Sequence, residues 1–465
     1  MNFQANPIRS LAGVFALALT SAVTAQPAFT SLAALPGTME GAPLISSNNP
    51  ESVSREGLLL STDNMTPANG NSLRRSLSNT NLGQGCPAGT LKEFAFYMHH
   101  LNNIGNAARF YVILEPAVAG TSLTFNAYGV AISQFDTGSL APGQSPSYKV
   151  SESLLMGRLA SGVNTSGGST FVNLAGQTMS GPFAIVNLRA DATQSVDARV
   201  RVRAASCVRV RVVAATAANA SVAGATALGR TQFAFGNIPT QAGKPGGAPC
   251  TDAQGIGWGR SAGTYQFERW NGSTNVAITT AASTQGWRFL AAPSNTLVNG
   301  RCVMNPVTAT PSSDSQRSNA LGYYFTNTSG ETSLRDSDPW STSNYGAEYK
   351  LGYSIRNQTG RCVLARLQLT NYPGRRICSS VPLTDSRTRH YDGAFKVTQN
   401  GVALTGLARV ATKCPASTTI PAVSTIARKI LTVNETVTWD VQTFIPGLIS
   451  APAGLLLVSE PSACQ

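Results

Sequence analysis

The segment Arg199-Val200-Arg201-Val202-Arg203, resumed at Val208-Arg209-Val210-Arg211-Val212, alternates charged and branched apolar residues with a period of two. An extended strand turns that pattern into two distinct faces, because its successive side chains point to opposite sides, whereas a helix would spread both residue types around its circumference. The arginines then share one face and the valines the other, whether the chain runs as one long strand or as two separated by Ala204-Ala205-Ser206. Further strand signals rich in Val, Ile, Phe, Tyr or Thr, bounded by Gly, Pro, Asn or Ser, occur at 110–114, 123–130, 183–188, 196–213, 349–355, 363–369, 394–397 and 437–441. Helical periodicity is confined to 151–159 and the Ala-rich 214–228, the second of which also reads as a flexible connector. Charged residues make up 12% of the chain, about half the usual ~25% share. That is too few to clothe long surface helices. The expectation is an all-β, mainly antiparallel fold with minor helix.

A chain of 465 residues is long enough for two or three domains. Near residue 240 the run Ile238-Pro239-Thr240-Gln241-Ala242-Gly243-Lys244-Pro245-Gly246-Gly247 has many turn formers and little that can pack. Aromatic usage changes there, since all five tryptophans and eight of the twelve tyrosines follow it. Two sandwich-like β domains are expected, 26–235 and 248–465, joined by a linker at 236–247. The echo of Gly300-Arg301-Cys302-Val303 in Gly360-Arg361-Cys362-Val363 is too small to define a repeat.

Residues 1–25 read as a signal peptide, with basic Arg9, an apolar core at 11–20 and a Val23-Thr24-Ala25 cleavage site. The apolar core is about half the ~20 residues a membrane span requires. Its removal, with Arg9, lowers the formal charge from +13 to +12. The expected location is therefore exported: periplasm, cell surface or extracellular space, and not integral to the membrane. Eight cysteines, Cys86, Cys207, Cys250, Cys302, Cys362, Cys378, Cys414 and Cys464, all fall in the exported part, and their even number points to disulfides. Pairing is open among 105 connectivities. The expected bridges are Cys414 with Cys464, closing the C-terminus, and Cys362 with Cys378, around a hairpin at Asn371-Tyr372-Pro373-Gly374. With the nearest cysteines 16 positions apart, no zinc knuckle or C-x-x-C redox pair can be written.

Five guanidiniums on one sheet face, Arg199, Arg201, Arg203, Arg209 and Arg211, offer forked donors to carboxylate or phosphate. The competing reading is a solvated sheet face whose charge blocks edge pairing, with adjacent strands supplying carboxylates. The sequence pI of about 9.6 leaves a surplus of positive field, but an exported chain without a nucleic-acid motif does not call for nucleic acid as partner. Histidine is scarce: His99, His100 and His390. The adjacent pair beside Met98 suggests copper, which accepts imidazole and thioether, although a regular strand would send His99 and His100 to opposite faces. No nucleophile elbow, zincin motif or phosphate loop is present. His390-Tyr391-Asp392 does not make a triad by adjacency, and Asp336-Ser337-Asp338 lacks the further ligands of a Ca²⁺ loop. The Trp and Tyr residues of the second half read either as core or as platforms for sugar rings.

Several blocks resemble an uncharacterised family of secreted proteins found mainly in cyanobacteria, with relatives in Deinococcus-type bacteria. Leu35-Pro36-Gly37, Ser47-Asn48-Asn49-Pro50-Glu51 and Glu56-Gly57-Leu58-Leu59-Leu60-Ser61-Thr62 are similar to that family's opening. Phe96 to His100 resembles its His-His segment, Gly259-Arg260-Ser261-Ala262-Gly263 its GRVAG segment, and Asn344-Tyr345-Gly346-Ala347-Glu348-Tyr349 with Asn357-Gln358-Thr359 its NYGVEY block and following N-x-T. The resemblance implies an exported envelope or extracellular protein and supplies no catalytic residues. Family members are poor in cysteine and the Arg/Val stripe is not one of their features, so this chain departs from them in both respects.

The leading expectation is an exported, non-enzymatic envelope protein that docks through the arginine face onto an acidic polysaccharide or an S-layer or outer-membrane protein. The alternative is a surface copper enzyme of the superoxide-dismutase type using His99, His100 and His390. A third is carbohydrate binding through the aromatics of the second half.

Overall fold

A computed structural model describes residues 31–48, 52–62, 73–74, 84–87, 89–135, 145–157, 169–232, 234–237, 262–265, 267–290, 296–298, 301–303, 326–327, 345–371, 389–414, 421–445 and 453–464. Elements are numbered in chain order. An eleven-stranded sheet holds β3 (Leu44–Ser47), β4 (Ser52–Arg55), β5 (Gly57–Ser61), β7 (Leu91–Asn102), β8 (Ala108–Pro116), β9 (Leu123–Phe135), β10 (Ser169–Met179), β11 (Phe183–Ala190), β12 (Gln194–Ala215), β13 (Phe235–Asn237) and β14 (Ala262–Tyr265). A seven-stranded sheet holds β2 (Thr38–Glu40), β15 (Arg269–Ile278), β20 (Glu348–Asn357), β22 (Arg389–Gln399), β23 (Val402–Ala403), β24 (Ala408–Cys414) and β26 (Thr436–Phe444). A five-stranded sheet holds β1 (Ala33–Ala34), β16 (Ser283–Leu290), β21 (Val363–Asn371), β25 (Val423–Leu431) and β27 (Ala453–Pro461). Two short pairs complete the set: β6 (Leu73–Arg74) with β19 (Thr326–Asn327), and β17 (Thr296–Val298) with β18 (Arg301–Val303). Among the described residues the α-helices are α1 (Pro146–Met156) and α2 (Val222–Thr231), and neither is long and apolar enough to cross a membrane. The chain is therefore all-β and mainly antiparallel, with parallel pairing at β1·β16, β15·β20 and where β3 and β4 meet β7.

The Arg/Val stripe forms one strand of 22 residues rather than two. The small residues Ala204-Ala205-Ser206 lie within a register shift between Arg203 and Val208. That shift lets the first half of β12 pair with β7 and β9, and the second half with β5 and β8. The strand thereby links two sets of partners within the one eleven-stranded sheet. Val196, Val200, Val202, Val208, Val210 and Val212 all enter one core with Phe94, Phe96 and Phe110. Each such valine contributes about 1.5–3 kcal/mol by leaving water.

The expected helix at 151–159 begins earlier, at Pro146. Ser145 caps it by accepting a hydrogen bond from the Tyr148 N–H at 3.0 Å, Pro146 occupies the first turn, and Gly157 ends it in the left-handed conformation. The helix expected at 214–228 loses its first residues to β12, because Ala214 and Ala215 still pair with β8. It begins after Ser221, whose hydroxyl accepts from the Gly224 N–H.

The five- and seven-stranded sheets pack as a second sandwich. Between them lie Trp270, Trp439, Tyr349, Tyr353, Phe289, Leu367 and Leu455, with Trp287 and Tyr353 in ring contact at 5.2 Å. The apolar residues Gly454 to Val458 form the middle of β27, the central strand of the five-stranded sheet. Two exchanges cross the 26–235/248–465 division. β1 and β2 add to β16 and β15 of the second sandwich, and β14 adds to β3 of the first. The proposed linker at 236–247 begins inside β13, which pairs with β4; residues 238–247 lie outside the described residues, as does the signal peptide.

The disulfide expectations are corrected. Cys362 bridges Cys464, so neither the Cys414–Cys464 nor the Cys362–Cys378 pairing exists. The reason is register: β21 and β27 are antiparallel neighbours, Val363 stands opposite Pro461, and the Ser462 N–H donates to the Cys362 carbonyl at 3.1 Å. The cysteine just before one strand and the one just after the other thus meet at the same end. A second bridge joins Cys86 to Cys207, next to the register shift of β12. Cys250 and Cys378, and the side chains of Cys302 and Cys414, lie outside the described residues.

Candidate anion-binding sheet face

The arginine side of β12 is best read as rows across the sheet, since residues opposite one another in register share a face. One row runs Ile132–Asp197–His99, the next Val130–Arg199–Tyr97, the next Asn173–Tyr128–Arg201–Ala95, and the last Asn126–Arg203–Glu93. The first two rows are covered. α1 lies over Asp197 and His99, where Ser147 Oγ donates to Asp197 Oδ1 at 3.0 Å and His99 Nδ1 sits 3.0 Å from the same oxygen. Gly346 presses onto Tyr97: a Cβ at Gly346 would stand 2.4 Å from the Tyr97 Cβ, and its φ of +85° already favours glycine. This contact accounts for the glycine in the Asn344-Tyr345-Gly346-Ala347-Glu348-Tyr349 block. The last two rows are open from β10 to β12, while at β7 the third row closes on the buried Ala95.

The five arginines consequently separate, and the expectation of one continuous anion-binding face is corrected. Arg199 is 2% exposed; its Nε donates to the Gly346 carbonyl at 2.9 Å, and its Nη2 reaches Glu268 at 2.8 Å and Glu348 at 3.3 Å. It joins the two sandwiches instead of facing solvent. Arg211 is also buried, paired with Glu115, which Arg230 approaches at 3.3 Å. Arg209 donates to the Pro116 carbonyl at 3.1 Å. The accessible members are Arg201, 45% exposed, and Arg203, 71% exposed, which share the one carboxylate oxygen Glu93 Oε1 at 3.3 and 3.0 Å. Arg201 also reaches Glu268 at 3.0 Å.

Burial pushes the Glu268 carboxyl up, but the charge and hydrogen bond of Arg199, with Arg201 and Arg269 beside it, outweigh burial and hold its pKa below the ordinary 4.5. An unfolded chain returns this carboxyl to its ordinary value. The resulting stabilisation is complete above about pH 4.5 and is lost as pH falls through the lower folded value. Urea midpoints measured across that acid range are expected to fall more steeply in the wild type than in Glu268→Gln, and parallel curves would contradict the assignment.

The copper expectation does not match the geometry. His99 faces α1 and Asp197, whereas His100 points to the opposite side of β7, with Nε2 2.9 Å from Ser47 Oγ and its ring stacked on Phe110 at 6.1 Å. Both are buried, and one ion cannot take both. No cluster of three or more His, Cys, Asp or Glu occurs among the described residues. The backbone of His390 lies in β22, while its side chain is outside the described residues. Asp392 accepts from the capping Ser145 at 3.0 Å. Trp270, Trp287 and Trp439 are buried, which removes them as sugar platforms; Trp258, Trp340 and Asp336 to Asp338 lie outside the described residues.

Sequence reasoning missed Tyr128, Asn126 and Asn173, which flank the open arginines. The signal was the alternation Leu123-Thr124-Phe125-Asn126-Ala127-Tyr128, which already places Tyr128 and Asn126 opposite the apolar face.

No family model and no curated protein matches the chain. Among solved structures it is similar to the N-terminal CBM22-1-CBM22-2 tandem domain from Paenibacillus barcinonensis Xyn10C, at 8% identity over 88% of this chain and 99% of that one. The TM-score of 0.15 is too low to define a shared fold.

Proposed function

We propose that the chain is an exported, non-enzymatic protein of the cell envelope that docks onto an acidic surface component through the open rows of its first sheet. The observation that carries this reading is the pair Arg201 and Arg203, both accessible and sharing Glu93, with Glu268 a second partner of Arg201 alone. Guanidiniums in that position retain donors for an incoming anion. The Cys86–Cys207 and Cys362–Cys464 bridges suit an oxidising compartment, and the family resemblance points to the same location. Arg199 and Arg211 take no part in docking; they hold the framework that presents the other two.

The test is retention on envelope material isolated from the bacterium that makes the protein, across a NaCl series from about 0.05 to 0.5 M, where screening of exposed charge becomes strong. Arg201→Gln with Arg203→Gln is expected to lower the bound fraction at low salt by roughly 2- to 30-fold, from about 0.2–1 kcal/mol per exposed charge. Wild-type release should follow salt. Retention that is the same in both proteins at every salt concentration overturns the reading.

A further inference from the structure

We infer that the acidic component is a carboxylated, uronate-type polysaccharide, and that Tyr128 stacks on its sugar rings while Arg201 and Arg203 take its carboxylates; this rests on the docking reading above. Every other tyrosine whose side chain is described is buried: Tyr97, Tyr111, Tyr148, Tyr345, Tyr349, Tyr353 and Tyr391. Tyr128 is 49% exposed, in the middle of a polar sheet face. A half-exposed phenol ring beside guanidiniums and amides combines a stacking surface with polar donors.

Its neighbours are those a sugar acid requires. Arg201 stands directly opposite on β12 and Asn173 directly opposite on β10. The ring makes a T-shaped contact with Phe171, with centroids 4.9 Å apart and an interplanar angle of 83°. Asn126, opposite Arg203, has its Oδ1 occupied by the Gly176 N–H at 2.8 Å and therefore offers its NH₂ outward. Exposed amides suit hydroxyl groups, guanidinium forks suit planar carboxylates, and the phenol ring suits the apolar face of a pyranose. A polyphosphate would use the arginines and leave Tyr128 and the amides idle. Alternate residues on a strand are about 7 Å apart, so Arg201 and Arg203 meet successive points of an extended polymer running along β12 beside β9.

Polygalacturonate, neutral dextran and polyphosphate are the probes, each titrated into the mature protein by calorimetry. The wild type is expected to bind polygalacturonate and not dextran. Tyr128→Ala should weaken that binding roughly 2- to 12-fold in a protein that still unfolds cooperatively above the assay temperature, Tyr128→Trp should restore it, and Arg201→Gln with Arg203→Gln should remove its salt dependence. Equal binding of polyphosphate and polygalacturonate, with Tyr128→Ala unchanged, overturns the glycan inference while envelope docking stands. The same holds if polygalacturonate does not bind at all and salt-dependent envelope retention persists. If the arginine pair changes neither assay, docking and glycan binding fall together.

Discussion

Replacing Cys362 and Cys464 with alanine is expected to cost the folded protein about 4–5 kcal/mol, the largest loss from any pair of substitutions considered for this chain. The bridge spans 102 positions, and in the chain-entropy account a loop of that size restricts the unfolded ensemble by about 4.7 kcal/mol. The native side adds to this. The bridge fastens the end of β27, which lies between β16 and β21 and supplies Leu455 and Leu457 to the core of the second sandwich. Without it, fraying of β27 would expose both neighbouring strands. Urea unfolding of the double variant should show the loss as a lower midpoint, whereas a change below about 1 kcal/mol would mean that the unfolded chain is already constrained or that the bridge relieves nothing.

Arg199→Met is expected to destabilise by about 3–5 kcal/mol, because it leaves Glu268 fully buried with its closest counter-charge removed. It also removes the donor to the Gly346 carbonyl, so the two sandwiches lose a direct link. The pair itself is a different matter. Arg199→Met combined with Glu268→Leu should recover most of the loss, since a buried ion pair exchanged for apolar groups of similar size is often neutral. The double-variant cycle separates the two cases. A mild effect of Arg199→Met alone would mean that Arg201 and Arg269 satisfy Glu268 without it.

These effects show which parts of the molecule the sequence announces. Period-two alternation made β9, β20 and the Arg199–Arg203 half of β12 legible, because each buries one face there and a register slip would expose it; β8 was legible instead as a continuous apolar run, and it is buried on both faces. The valine face of β12 lies where the alternation placed it. The arginine face could not be divided from sequence, since what covers it comes from residues far along the chain: Gly346 and Glu348 over Arg199, and α1 over Asp197. The register shift near Ala204 to Ser206 left no charge signature, although three small residues mark where it could occur. α1 was misplaced by about five residues because its apolar periodicity outweighed the Ser145-Pro146 start and the Gly157 stop. The disulfide partners were illegible because strands β21 and β27 are far apart in the chain and adjacent in the sheet.

Retention of two charge-matched variants on isolated envelope separates specific docking from general attraction. One is Arg201→Gln with Arg203→Gln. The other is Lys350→Gln with Lys396→Gln, which removes two positive charges from the seven-stranded sheet, where both lysines stand in one row with Gln442. Each lowers the net charge by two, so a nonspecific attraction of a basic protein to an acidic surface would weaken equally in both. Docking through Arg201 and Arg203 requires that the arginine variant be released at low salt while the lysine variant behaves as wild type. Equal loss in the two variants, or none in either, would contradict it.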